Sequence, residues 1–267
     1  MDRHIILTLG RSGSNTLRDM LNQSPHILNF GEVLGDWNGI RKAQRRLPFL
    51  PRSDEAFLDW VLMSDSFPRL ANGLRSIRKR VSGEGAAAKP FGGIQSYGIK
   101  DFSLNFERCK LTGYLAQRPG IKVIGLIRED VVDRMISNAM LGATGVVAAR
   151  GGQGGGKRLM IDPAGIAALL ADIETENAGL DRMLAGLPPE RVRVVRYDDL
   201  FSDAAGRQAV MAGVFAFLGV PAVTTEERMS KIIRLPVSEV IENFEACLQA
   251  VRGTPHEALL RAAAARG

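Results

Sequence analysis

The segment His4-Ile-Ile-Leu-Thr-Leu-Gly10-Arg11-Ser-Gly-Ser-Asn-Thr-Leu17 decides how this chain folds. Its first half is apolar and β-branched, the composition of a strand covered on both faces in a parallel sheet. The run stops at Gly10. Small, hydroxyl and amide residues follow, and then Leu17, Met20 and Leu21 recur at helical spacing. A strand, a small-residue loop and a helix in that order hold phosphate well. Backbone N–H groups turn inward, and the start of the helix adds partial positive charge.

The loop lacks the Lys-Ser/Thr pair that ends the Walker phosphate loop of nucleotide kinases. Arg11 stands ahead of the hydroxyls instead. That substitution suggests a bound nucleotide whose chemistry needs no metal. A second stretch, Gly151-Gly-Gln-Gly-Gly-Gly-Lys157, satisfies the Walker spacing formally, but Arg158 follows where Ser/Thr is required and no strand precedes it. Residues 142–160 are expected as a flexible glycine-rich loop over the mouth of the site.

Working outward, Ile27-Leu-Asn-Phe30 is a second short apolar run and closes a right-handed βαβ unit. Gly31-Glu32-Val33-Leu34 follows it, so Glu32 sits just past the carboxyl end of a strand, where open α/β sheets bind ligands. Tyr97-Gly-Ile-Lys100-Asp101-Phe102 reads as a third strand. Ile121-Lys-Val-Ile-Gly-Leu-Ile127 is the strongest central strand and ends at Arg128-Glu-Asp130. Asp130 is placed to cap an amphipathic helix carrying Val131, Val132, Met135, Ile136 and Met140, with Ser137 among them. Arg191-Val-Arg-Val-Val-Arg-Tyr197 is a further strand. Helices are expected over 55–63, 67–77, 106–116, 163–186 and 209–218, the last ending at Gly219. The remainder reads as helical with breaks near Pro236 and Pro255. The pattern is α/β, a parallel sheet flanked by helices, with one domain across 1–267.

Of 267 residues, 45% are hydrophobic and 24% charged, ordinary for a globular chain. The net charge of +6 fits an anionic ligand: a nucleotide, a sulfated or phosphorylated glycan, a nucleic acid or an acidic membrane. It fits an arginine-rich source composition equally well. Arg69, Arg75, Arg78, Lys79 and Arg80 form either a solvated helix face or a rim that attracts an anionic acceptor. Aromatic residues make up only 6% and do not interleave with that set, which speaks against base stacking and against a nucleic-acid partner. Cys109 and Cys247 lie far apart without a CxxC or histidine cluster, so they read as two buried free thiols of a reducing compartment, with a single disulfide as the alternative, rather than a zinc site. No secretion signal and no membrane-length apolar run is evident, so a cytoplasmic protein without a transmembrane segment is expected.

Three separated features now coincide: Gly10-Arg-Ser-Gly-Ser-Asn-Thr-Leu17, the segment from Val123 through Arg128 to Ser137, and Val195-Arg-Tyr-Asp-Asp-Leu200 leading to Phe217-Leu-Gly219. Together they resemble the sulfotransferases that use 3′-phosphoadenosine 5′-phosphosulfate (PAPS), most of all the bacterial carbohydrate enzymes of the trehalose and nodulation-factor type. The resemblance spans most of the chain and is weakest over 36–95 and 142–190. It implies a P-loop-kinase-like fold and a set of roles. Arg11, Ser12, Gly13, Ser14, Asn15 and Thr16 would wrap the 5′-phosphosulfate. Asn15 departs from the usual Ser/Thr, although an amide still donates to an oxyanion. Arg128 and Ser137 match the pair that binds the 3′-phosphate, spaced as in the trehalose type. Glu32, within Phe30-Gly-Glu-Val-Leu34, resembles the glutamate base of the carbohydrate enzymes. Phenol-type enzymes use a histidine, for which His26 is the weak alternative, with His4 and His256 less suited.

By the same resemblance Arg11 would stabilise the bridging oxygen, and Lys100 matches the lysine of a Gly-x-Lys segment that reaches acceptor or sulfuryl oxygens. A plain strand-end lysine is the other reading of Lys100. Lys231 and Arg234 are further candidates to approach the nucleotide. No metal is implied. The acceptor would be a small molecule or glycan, most simply a carbohydrate or glycolipid hydroxyl. The rival readings are a P-loop kinase or other phosphotransferase, and a non-catalytic protein that binds anionic glycans or nucleic acid.

Overall fold

The computed structural model describes residues 1–81, 89–145, 158–229 and 235–266. The chain runs β1 (Asp2–Thr8), α1 (Ser14–Leu21), β2 (Ile27–Asn29), α2 (Gly39–Arg46), α3 (Asp54–Leu62), α4 (Ser66–Val81), β3 (Ser96–Phe102) and α5 (Ser103–Arg108). It continues through β4 (Ile121–Ile127), α6 (Val131–Thr144), α7 (Ile166–Ala185), β5 (Val192–Arg196), α8 (Tyr197–Leu200), α9 (Ala204–Leu218), α10 (Val237–Val240), α11 (Phe244–Ala250) and α12 (Pro255–Ala265).

Among the described residues, five strands pair in the order β2-β3-β1-β4-β5, every pair parallel. Strand periodicity explains why β1 reads as one continuous apolar run. Ile5 and Leu7 point into a core shared with α3, α4, α5 and α7, whereas Ile6 points into the opposite core with α1 and α9. A further cluster joins α6 and α7 to α10, α11 and α12. All strands share one direction, so their carboxyl ends share one edge. The chain leaves β1 toward β2 and β3 and then crosses to β4 and β5. The resulting crevice beside β1 is where such sheets bind ligands.

Several sequence expectations shift. The helix expected over 106–116 ends at Arg108, because Lys110 takes a left-handed backbone with φ 57 and turns follow. The start of the expected loop over 142–160 is helical to Thr144, and Gly145 at φ 68 then ends α6. Residues 146–157, including Gly151 to Lys157, lie outside the described residues, as do Lys231 and Arg234 and the side chains of Arg75, Arg78, Lys79 and Arg80. Arg69 stacks over Phe91 at 4.9 Å. Cys109 and Cys247 are free thiols. Among the described residues no helix is long and apolar enough to cross a membrane, and no group of three or more His, Cys, Asp or Glu is placed to hold a metal.

Candidate functional site

The loop after β1 is shaped by backbone geometry. Arg11 at φ 64 and Gly13 at φ 77 reverse the chain so that α1 starts directly above the strand. No side chain caps α1 and no acidic residue lies in its first turn, so its N–H groups and partial positive charge face the crevice unneutralised. Glycine is needed at 13 on two counts: the positive φ, and the ring of Phe201, which would lie 2.4 Å from an added Cβ. Phe201 pairs with Tyr197, ring centroids 4.4 Å apart, and the two form an aromatic wall on the loop.

Buried polar groups tie the loop down. The Ser12 hydroxyl donates to the Leu9 carbonyl at 2.7 Å and meets Thr8 Oγ1 at 2.5 Å, so it is turned into the base of the loop. Arg134, only 2% exposed on α6, donates to the Gly10 carbonyl at 3.1 Å and to Asn177 at 3.0 Å, and pairs with Glu176. Burial pulls its guanidinium below the ordinary arginine range, with Glu176 acting in the opposite sense.

A cleft of about 1090 Å³ opens over the carboxyl ends of the strands. On its β4 side, Arg11 Nε donates to Ser137 Oγ at 2.9 Å. Arg128 donates to the Arg11 carbonyl at 2.8 Å and to Asp133 at 3.0 Å, and its guanidinium lies 4.2 Å from the Tyr197 ring centre. Burial, and then the like charge of Arg128, pull Arg11 below the usual arginine range. Two guanidiniums and a hydroxyl therefore crowd beside a helix N-terminus, which suits a multiply charged anion.

On the β3 side the Lys100 ammonium, 1% exposed, pairs with the Glu32 carboxylate and donates to Asn15 Oδ1 at 3.3 Å. Burial lowers the Lys100 pKa, opposed by Glu32. Trp37 donates its indole N–H to the other Glu32 oxygen at 2.8 Å. The turn bearing Glu32 is fixed from below by Asp101. This buried carboxylate accepts from the N–H groups of Val33 at 2.9 Å and Leu34 at 2.8 Å, and from Phe102 N–H and Asn105. Burial pushes the Asp101 carboxyl above the usual carboxylate range, against the pull of these donors. The remaining wall mixes the apolar Leu141, Leu235, Val237, Leu259 and Ala263 with charged groups, among them Glu129, Asp130, Asp198 and Arg266.

Arg11, Gly13, Ser14, Asn15, Thr16, Glu32, Lys100, Arg128 and Ser137 thus line one cleft, and Ser12 does not. The histidines lie elsewhere. His4 is sealed at the amino end of β1 between Ser96 at 2.8 Å and Asn29 at 3.1 Å, where burial brings its pKa down to about 3. His26 contacts the Gly93 carbonyl at 3.1 Å, and His256 pairs with Glu174 at 3.1 Å. Sequence reading missed Trp37, Asp101, Arg134 and the aromatic wall. Tyr197 stood inside a quoted motif but received no role. Asp101, beside Lys100 at a strand end and so on the opposite face, was the one clear signal.

No protein-family model and no curated protein matches this chain. Among solved structures, a sulfotransferase from Alicyclobacillus acidocaldarius is similar at 16% identity and a TM-score of 0.48, over 100% of this chain and 97% of that one. The sulfotransferase domain from the curacin biosynthetic pathway is similar at 18% identity and 0.44, over 99% and 96%. The sulfotransferase domain of the Synechococcus PCC 7002 olefin synthase follows at 17% and 0.41, over 98% and 86%.

Proposed function

We propose that this chain is a sulfotransferase that takes a sulfuryl group from PAPS and delivers it to an acceptor hydroxyl of carbohydrate or glycolipid type, as one domain across 1–267. One observation carries the reading. Arg11, Arg128 and Ser137 meet at an uncapped helix N-terminus, and the Glu32–Lys100 pair stands at the other side of the same cleft. Anion-binding donors and a carboxylate able to take a proton are thereby held in one space.

The donor set suits a nucleotide with phosphate at both ends of its ribose. Backbone N–H groups of residues 13–15, the Thr16 hydroxyl and the Arg11 guanidinium would hold the 5′-phosphosulfate. Arg128, backed by Tyr197, and Ser137 would hold the 3′-phosphate. PAPS supplies the sulfuryl group on a phosphate leaving group. Glu32 accepts the proton of the attacking hydroxyl. Lys100 fixes the orientation of that carboxylate, and Arg11 offers fixed positive charge where the leaving phosphate gains negative charge. Positioning and electrostatics do most of the work, as in phosphoryl transfer.

Thermal stabilisation tests the reading. At a hundredfold excess over Kd, 3′,5′-ADP should contribute about 2.7 kcal/mol, a rise of roughly 5–10 °C in Tm for a chain of this size. ATP with magnesium should do little. The reverse pattern overturns the proposal in favour of a phosphotransferase. Glu32→Gln should abolish sulfuryl transfer and leave 3′,5′-ADP binding intact, and near-normal turnover would remove Glu32 from its role.

A further inference from the structure

Resting on the sulfotransferase reading, we infer that Trp37 is the platform on which the ring of a saccharide acceptor stacks, and so helps select the acceptor. Trp37 lies in the turn between β2 and α2, lines the cleft, and has its indole N–H on the Glu32 carboxylate at 2.8 Å. Its position is built. The indole lies across Gly35, where an added Cβ would come within 2.5 Å of two ring atoms. It also leans on Phe102, centroids 6.2 Å apart. Despite those supports it stays 58% exposed, whereas a tryptophan serving only the core would be covered.

The surroundings choose the class of ligand. An open aromatic face offers the C–H side of a sugar ring a large, rigid contact at low entropic cost. Glu32, Lys100 and Asn15 line the cleft beside it and suit ring hydroxyls, and the turn that carries the indole is held by paired groups. Asp36 is paired with Arg45 at 2.6 Å and with Arg108, and Asn38 donates to the Glu32 carbonyl. A flat apolar acceptor would leave the cleft-lining polar groups Glu32 and Asn15 without matching groups. A ring stacked on Trp37 presents a hydroxyl beside Glu32, whose two oxygens keep lone pairs beyond those used by Trp37 and Lys100.

Trp37 and Trp60 are the two tryptophans of the chain, so Trp60→Phe leaves Trp37 as sole tryptophan, excited at the red edge where the three tyrosines do not absorb. That variant, saturated with 3′,5′-ADP, is titrated with glucose, N-acetylglucosamine, cellobiose and trehalose, and separately with phenol and 1-octanol. At least one saccharide should quench Trp37 saturably and shift its emission to the blue, while phenol and octanol do not. By calorimetry, adding Trp37→Ala should weaken that saccharide about tenfold, and Trp37→Phe should retain most of the affinity. Should Trp60→Phe fail to fold, iodide quenching in the native chain reads mainly Trp37, which is 58% exposed, whereas Trp60 is partly buried between Phe57 and Phe67. No response to any saccharide, a response to phenol or octanol alone, or unchanged affinity in Trp37→Ala overturns the inference. If 3′,5′-ADP still raises Tm in that case, only the Trp37 assignment falls. If it does not, the sulfotransferase reading falls and this inference with it.

Discussion

Asp101→Asn isolates the support beneath Glu32 with the loss of a single oxygen. In the native chain one Asp101 oxygen accepts from Val33 and Leu34 N–H, and the other from Phe102 N–H and Asn105 Nδ2, at 2.6–2.9 Å. Asparagine keeps one acceptor and gains a donor, so in either flip two donors face an NH₂ group. Val33 and Leu34 are fully buried, and no solvent replaces the lost acceptor. Two hydrogen bonds to a charged group contribute about 1.5–3 kcal/mol each, so the variant should lose about 3–6 kcal/mol. For a chain of this length that is a fall in Tm of roughly 6–24 °C. Urea unfolding followed by circular dichroism gives the free energy, with Asn105→Ala, which removes one contact where Asp101→Asn removes two, expected near half of the loss. Sulfuryl transfer should fall while the affinity for 3′,5′-ADP stays within about threefold, since the loop after β1 does not touch Asp101. A loss of under about 1 kcal/mol for Asp101→Asn would refute the claim that this carboxylate holds the turn.

Arg128→Ala should weaken 3′,5′-ADP by about 10- to 150-fold, the worth of one charge-assisted contact, and leave 5′-AMP within threefold. Equal losses for both nucleotides in calorimetry would remove Arg128 from the 3′-phosphate. Gly13→Ala should cost about 1–2 kcal/mol from the left-handed backbone alone and displace the Phe201 ring, weakening 3′,5′-ADP at least tenfold; native affinity would show that the loop tolerates the change. His4 has a folded pKa near 3 against 6.5 for the free side chain, so the unfolded chain binds the proton between these values. Its contribution to stability is complete above pH 6.5 and is lost as pH falls through that window. His4→Gln should therefore flatten the dependence of unfolding free energy on pH by up to about 1.4 kcal/mol per unit between pH 6 and 4, and an unchanged slope in urea titrations would refute the neutral, buried state.

Sheet and cleft were legible to different depths. β4 matches the expected 121–127 because a strand buried on both faces leaves an uninterrupted apolar signature. The Asp130 cap of α6 was also readable, its carboxylate accepting from Asp133 N–H at 2.9 Å. The convergence of Glu32, Lys100 and Arg128 followed once each was placed at the carboxyl end of a strand, with Ser137 brought in on the helix after β4. Arg134 escaped notice because a basic residue on an amphipathic helix reads as a solvent-facing one, and only packing against α7 buries it. Trp37 escaped because it lies between periodic elements, in a stretch without alternation and where the family resemblance is weak. The early end of α5 turns on the backbone of Lys110, a residue whose type does not announce a positive φ.

The strand order also divides the cleft by ancestry along the chain. Everything on the β2–β3 side, with Glu32, Trp37 and Lys100, is encoded before residue 103, and everything on the β4–β5 side, with Arg128, Ser137 and Tyr197, after it. Only the loop following β1 belongs to both. A genetic exchange with its junction near α5 would replace one wall of the cleft and leave the other in place. Because the loop after β1 travels with Glu32, Trp37 and Lys100, such a chimera takes the Arg11 half of the anion-binding cluster from one parent and the Arg128 and Ser137 half from the other, and the Arg128 contact to the Arg11 carbonyl has to form across the junction.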